Sequence, residues 1–300
     1  IVKFINTIFV NIMQLLPKWS VKPFAKPYVA GIKTDEVLNV VKSLNNDGFS
    51  ATVDILGEFV SNKDEAIQVK NEYSELVRAI AKKNLDSTIS VKLTHLGLDL
   101  DYNYCKNLML ELVYEAKKYN VGIAIDMENS PYTDNIFNIY KDSAKIFSKV
   151  GAVMQAYLHR SYNDLENLNN SNLILRICKG IYNEDSSIAF KDRNEINKNF
   201  KHLIQSILRG KGYACIATHD IDLIEDIEEW IQDNNIPTER FEFQVLYGVP
   251  MSKTLNRLKS KGYKITVYVP FGSSWYDYSI RRLKENPKII SYVIKNIFKK

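Results

Sequence analysis

Short apolar runs rich in β-branched residues alternate with charged amphipathic stretches along most of this chain. The runs cover residues 51–56, 88–93, 121–126, 152–158, 173–178, 213–218, 241–246 and 264–269. Continuous apolar runs, rather than strict alternation, predict parallel strands buried on both faces. Between them, residues 64–82, 104–118, 195–208 and 251–258 carry apolar positions at helical spacing. Thr34-Asp35-Glu36 predicts a helix start, with Thr34 as the cap and acidic side chains in the first turn. Eight strands separated by helices predict a distorted (β/α)8 TIM-like barrel in the α/β class. The connection from Leu158 to Leu173 leaves room for only a short helix. An open doubly wound sheet is the alternative, but no G-x-G-x-x-G follows any strand. The expected division is an N-terminal helical arm over residues 1–44 and a barrel domain over residues 45–300.

Composition narrows the partners. The 300 residues are 45% hydrophobic and 25% charged, with a formal net charge of +5, which describes a globular chain with a large core. The lysines are scattered and lack interleaved aromatics, which argues against nucleic acid and leaves a weak attraction to an anionic membrane surface. Cys105, Cys178 and Cys215 form no C-x-x-C pair. They read as small buried hydrophobes in a reducing compartment, with neither a disulfide framework nor a metal site. Residues 1–16 are apolar apart from Lys3, Asn6, Asn11 and Gln14, and fall short of the roughly 20 residues that span a bilayer. They predict an amphipathic helix packed on the body or in peripheral contact with a membrane. No secretory cleavage pattern follows them.

The chemistry gathers at the C-terminal ends of the strands, where barrels of this kind build active sites. Asp54 and Glu58 follow strand one, Lys92 ends strand two, and Asp126 and Glu128 end strand three. Gln155 and Tyr157 mark strand four, Arg176 and Lys179 strand five, and Thr218 and His219 strand six. Gln244 and Tyr247 mark strand seven and Tyr268 strand eight. Polar groups in apolar strands are costly unless paired, and a whole ring of them at one end is hard to explain structurally. Taken singly, Lys92 reads equally as a core ion-pair partner and His219 as a satisfied histidine.

Two stretches carry more. Gly180 directly after strand five lets a flat ligand approach the backbone, with Arg176 and Lys179 placed for a pyrophosphate or an electron-rich ring. Near the C-terminus, Tyr278, Arg281, Arg282 and Glu285 fall at i, i+3, i+4 and i+7 and share one helix face. Adjacent guanidiniums suit bidentate capture of a carboxylate or phosphate. After the eighth strand, this helix is placed to fold over the barrel mouth.

Several motifs in order together resemble the proline dehydrogenase family. The stretch Tyr278 to Asn286 matches its signature Tyr-x-x-Arg-Arg-x-x-Glu-Asn in full. Ser90-Val91-Lys92-Leu93, Ile125-Asp126-Met127-Glu128, Gln155-Ala156-Tyr157-Leu158 and Arg176 to Tyr182 are similar to its strand two to five motifs. Ala217-Thr218-His219 and Gln244 to Gly248 are similar to those of strands six and seven, so the resemblance runs from about Asp54 to Asn286.

The resemblance implies a barrel holding non-covalent FAD and oxidising L-proline to Δ1-pyrroline-5-carboxylate by hydride transfer. By matching positions, it implies that Gln155, Arg176, Lys179, Gly180, Tyr182, Thr218, His219 and Glu285 contact the cofactor. Lys92, Asp126, Leu246, Tyr268, Tyr278, Arg281 and Arg282 would form the proline pocket. Among these, Lys92, Asp126, Arg281 and Arg282 are the catalytic candidates. Glu58 would pair with Arg281 as a gate, with Asp54 the lesser choice. Implied partners are a membrane quinone as electron acceptor and a separate pyrroline-5-carboxylate dehydrogenase that completes oxidation to glutamate. The implied location is the cytoplasm, at the inner face of the cell membrane. Ile181, Asn183 and Asp220 depart from the family pattern, and Asp220 is expected to weaken flavin binding by its charge. Alternatives are a dehydrogenase for hydroxyproline or a related cyclic imino acid, a Schiff-base aldolase using Lys92, or a barrel kept as a sensor.

Overall fold

Eight parallel strands close into a barrel in the computed structural model, which describes residues 27–168, 173–276 and 278–280. The strands are β1 Ser50–Ile55, β2 Ser87–Val91, β3 Ile123–Ile125, β4 Val150–Gln155, β5 Ile174–Cys178, β6 Tyr213–Ala217, β7 Phe241–Leu246 and β8 Ile265–Phe271. Each pairs with the next in sequence, and β8 returns to β1 with Thr52 opposite Tyr268. The helices are α1 Thr34–Asn46, α2 Lys63–Lys82, α3 Tyr102–Tyr119, α4 Thr133–Ile146, α5 Ser161–Leu168, α6 Arg193–Arg209, α7 Ile221–Asp233 and α8 Ser252–Ser260.

The expected alternation is therefore present, down to the short helix α5 in the narrow connection. Local chemistry moves several boundaries. Thr34 is the first helical residue rather than the cap. The carboxylate of Glu36 reaches back to accept from the backbone N–H groups of Ile32 and Lys33, at 2.7 and 2.9 Å. β3 stops before Asp126, and β4 stops at Gln155, because Leu158 N–H turns back to the Gln155 carbonyl. Asp101 and Asp192 cap α3 and α6 by accepting backbone N–H groups of their first turns, which starts both helices about two residues earlier than their apolar spacing suggests.

The main apolar core is a shell between barrel and helices. Val53 of β1, Ile89 and Val91 of β2, Ile123 and Ile125 of β3 and Phe241 and Phe243 of β7 are buried there. Ala66, Val69, Tyr73, Leu76, Val77 and Ile80 of α2 pack from outside at three- and four-residue spacing. The alternate strand positions are polar. Thr52 and Thr88 hydroxyls meet at 2.9 Å, and Asp54, Ser90, Glu242, Gln244 and Thr266 are all buried. β1, β2, β7 and β8 are thus apolar on the helix side and polar inside the barrel, while Val153 of β4 and Ala217 of β6 keep apolar side chains at the cavity. Among the described residues, no helix is long and apolar enough to cross a membrane.

Phe243 is 1% exposed and packs edge-on to Phe241 and against Tyr263. Phe243→Ala should cost about 3–5 kcal/mol by emptying this site. Urea unfolding should show a lower midpoint at unchanged slope.

Candidate active site

A cavity of about 1040 Å³ opens among the strand C-termini. Its walls include Glu58, Lys92, Asp126, Gln155, Arg176, Lys179, Gly180, Tyr182, Thr218, His219, Leu246, Tyr268 and Tyr278. Those are all the sequence-predicted site residues that lie within the described chain. Arg281, Arg282 and Glu285 lie outside the described residues, as does the apolar stretch 1–16. Trp275, Tyr276 and Tyr278 to Ile280 are helical, and Tyr276, Tyr278 and Ile280 line the cavity, so the start of the expected C-terminal helix adjoins the mouth.

The floor is a buried charge network centred on Asp126. Its Oδ1 accepts from Ser90 Oγ at 2.6 Å and Arg176 Nη1 at 2.8 Å. Its Oδ2 accepts from the Tyr268 hydroxyl at 2.8 Å and Lys92 Nζ at 3.5 Å. Lys92 also donates to both Asp54 oxygens, at 3.0 and 3.1 Å. Arg176 lies over the Tyr268 ring, 5.1 Å from its centroid, and its Nε donates to Gln244 Oε1 at 2.6 Å. Gln244 Nε2 continues to Glu242, which Lys264 neutralises at 3.1 Å. Asp54 and Asp126 balance Lys92 and Arg176, so the central quartet is neutral.

The titration directions follow. Burial pushes Asp126 up, but Lys92, Arg176 and two hydroxyl donors overcome it and hold the carboxyl below its usual range. Burial also raises Asp54, where the single cation Lys92 does not fully offset it. Burial disfavours the Lys92 ammonium, yet Asp54, Tyr268 and Asp126 drive it well above the ordinary lysine value. A Schiff-base lysine needs the opposite shift, towards a neutral amine. The direction at Lys92 therefore runs against the aldolase alternative.

Two further residues of the cavity wall, Gly180 and Asp220, have close partners. Gly180 has φ of +113°, and a Cβ there would lie 2.2 Å from Tyr157 Cδ1. The Tyr157 ring and the positive φ thus require glycine at this position, which also lines the cavity. Asp220 does not stand as an uncompensated charge. Its Oδ2 binds Lys179 Nζ at 2.5 Å, Arg193 Nη2 at 2.8 Å and Asn197 Nδ2 at 3.2 Å. Partial burial raises Asp220, and these three donors reverse the shift, holding it far below the usual carboxylate range. Two cations against one carboxylate leave an excess positive charge beside the cavity.

His219 Nε2 accepts the Leu246 backbone N–H at 2.9 Å, which puts the proton of its neutral ring on Nδ1. Gln155 Nε2 donates to the Glu128 carbonyl at 3.0 Å, fixing that amide's orientation. Cys178 is half-buried at the cavity wall, unlike the fully buried Cys105 and Cys215, and burial raises its thiol to about 11. Among the described residues, no cluster of three or more His, Cys, Asp or Glu could hold a metal ion.

Ser90, Arg193 and Asn197 stand outside the strand-end series, and Gln244, named in it, had no assigned partner. Ser90 and Gln244 were open to the two-residue period, since Ser90 shares a strand face with Lys92 and Gln244 with Leu246. Arg193 and Asn197 reach Asp220 only through the packing of α6 beside α7, which no local pattern encodes.

A sequence model of the proline dehydrogenase family matches residues 37–294. Proline dehydrogenase 1 of Bacillus subtilis subsp. natto is 37% identical over 276 residues, covering 92% of this chain and 91% of its own length. Proline dehydrogenase of Deinococcus radiodurans is 30% identical over 281 residues, with 92% and 90% covered. Among solved structures, proline utilization A from Bdellovibrio bacteriovorus inactivated by N-propargylglycine shares the fold with a TM-score of 0.81 at 24% identity. That match covers 89% of this chain and 33% of that one, so the chain spans about a third of this longer protein. A family match over almost the whole barrel, with relatives aligned nearly end to end, establishes that this chain belongs to the proline dehydrogenase family.

Proposed function

We propose that this protein oxidises L-proline to Δ1-pyrroline-5-carboxylate, using non-covalent FAD as the acceptor. The observation that carries the reading is the convergence of Lys92, Arg176 and the Tyr268 hydroxyl on Asp126, at one face of a cavity large enough for both a small zwitterion and a dinucleotide. Bound FAD would supply a two-electron acceptor for the hydride that leaves the ring carbon next to nitrogen.

The donor set suits that cofactor. Lys179 and Arg193 with their excess positive charge would take an anionic diphosphate, and Gln155 and Arg176 would face the polar edge of a flat ring. Gly180, Tyr182, Thr218 and His219 complete that wall, with Glu285 steadying the ring's edge. On the substrate side, Arg281 and Arg282 would grip the carboxylate, while Leu246, Tyr268 and Tyr278 would box the ring. Arg281 would close the site by pairing with Glu58. The protonated Lys92 and ionised Asp126 hold a fixed dipolar floor and move no proton at carbon. Positioning is then the main source of rate.

Passage of electrons to a membrane quinone and hand-over of product to a separate pyrroline-5-carboxylate dehydrogenase belong to the same reading and rest on the family. So does a cytoplasmic site at the inner membrane face, to which the net charge of +5 gives some support. Hydroxyproline and related cyclic imino acids are the rival substrates, distinguished by side-by-side turnover.

The direct test is a dye-reduction assay on FAD-loaded protein. L-Proline should drive reduction, faster as pH rises from about 6 to about 9, because the substrate amine must be neutral to donate. No proline-dependent reduction by protein carrying FAD would sink the proposal. A second measurement addresses Asp220. Asp220→Asn keeps an acceptor for Lys179 and Arg193 but frees their charge, so flavin fluorescence quenching should report FAD bound roughly threefold to tenfold more tightly. Unchanged or weaker binding would mean that the carboxylate's service in orienting the two cations outweighs its repulsion.

A further inference from the structure

One buried carboxylate near the cavity has no part in the account so far. Glu128 follows β3 and is 2% exposed. Its Oε1 accepts the Thr94 backbone N–H at 3.0 Å, and its Oε2 accepts the Thr94 hydroxyl. The same hydroxyl oxygen accepts the Phe59 backbone N–H at 3.4 Å. Phe59 is the neighbour of Glu58, which lines the cavity, and it holds φ of 51°, a left-handed backbone that bulky side chains seldom adopt. Such a conformation persists only where its surroundings fix it. The two loops also touch directly, since a Cβ at Gly57 would lie 2.2 Å from His95 Nε2, one residue beyond Thr94.

We propose that Glu128 is a positioning residue whose buried carboxylate, acting through Thr94, fixes the loop bearing Glu58 against the turn after β2 and so governs how firmly the cavity holds its substrate. The kinetic half of this inference rests on the proline-oxidising reading; the structural half does not.

The arrangement is sensitive to protonation. Burial raises Glu128 to about 7, only partly offset by the two Thr94 bonds and by Lys92 just beyond β2, while Glu58 raises it further. Tyr73 of α2, Cys105 of α3, and Tyr132 and Tyr182 on the loops also lie within its field. Ionised, Glu128 accepts both Thr94 hydrogens and leaves the hydroxyl lone pairs to Phe59. Protonated, it keeps one bare oxygen to accept from Thr94, and the hydroxyl's two lone pairs can still serve Phe59 N–H. Burial is the main cause of the rise at Glu128, so an opening that admits water favours the ionised form, and the loop is held more firmly below a pH of about 7 than above it.

Hydrogen exchange on the full-length, FAD-loaded protein tests this. After correction for intrinsic rates, residues 57–61 should be about tenfold less protected at about pH 8 than at about pH 6. Glu128→Gln should abolish that dependence, Thr94→Val should leave the segment weakly protected at both pH values, and Thr94→Ser should restore the native behaviour. In turnover, Glu128→Gln should raise KM for L-proline severalfold with a smaller change in kcat. Equal protection of residues 57–61 in native protein, Glu128→Gln and Thr94→Val at both pH values overturns the proposal, even if those variants melt at lower temperature. Failure of the native protein to oxidise proline would overturn the functional reading instead, and the exchange result would still decide this one.

Discussion

Asp126 receives four donors from three other strands of the barrel, and the organisation of the cavity floor follows from that convergence. Ser90 and Lys92 reach it from β2 and the residue just beyond, Arg176 from β5 and Tyr268 from β8. Two cations buried in a barrel interior are tolerated only if anions meet them there. Removing one partner from such a set typically costs about 3–5 kcal/mol, because the remaining charge is stranded. Asp126 therefore serves fold and site together. The contacts that compensate Arg176 and Lys92 also aim them at the cavity and hold the Tyr268 ring beneath the Arg176 plane.

A neutral floor has a chemical consequence. Proline carries both charges, so a strongly charged floor would favour one end and misplace the other. The balance of Asp54 and Asp126 against Lys92 and Arg176 leaves the excess positive charge on the separate wall of Lys179, Arg193 and Asp220. The cavity thus offers two electrostatic environments, a neutral floor and a wall of excess positive charge. A protonated Lys92 completes the charge balance of that floor.

Much of this was legible in the sequence. The run of eight β-branched segments specified the barrel, and the polar residues at their ends marked the cavity rim, because strand-end position maps directly onto place in a closed barrel. The depth of the polar interior was not legible. Thr52, Ser90 and Thr266 look like ordinary strand residues until closure turns their face inward. The second constraint on Gly180 was hidden because the ring that would meet its side chain, Tyr157, comes from a different strand end. Asp220 looked like an isolated charge for the same reason: Lys179, Arg193 and Asn197 lie 23 to 41 residues away in sequence. Local pattern names the residue types at a site, while their partners are fixed by tertiary packing.

The central claim is that the charge network around Asp126 organises the site for proline oxidation. Anaerobic stopped-flow mixing of FAD-loaded protein with L-proline reads that step alone, as bleaching of the flavin absorbance, without any electron acceptor. The native protein should bleach fully, and Asp126→Asn that still retains FAD should bleach at least about a hundredfold more slowly, the equivalent of about 2.7 kcal/mol in the barrier. Equal bleaching rates in the two proteins would contradict the account.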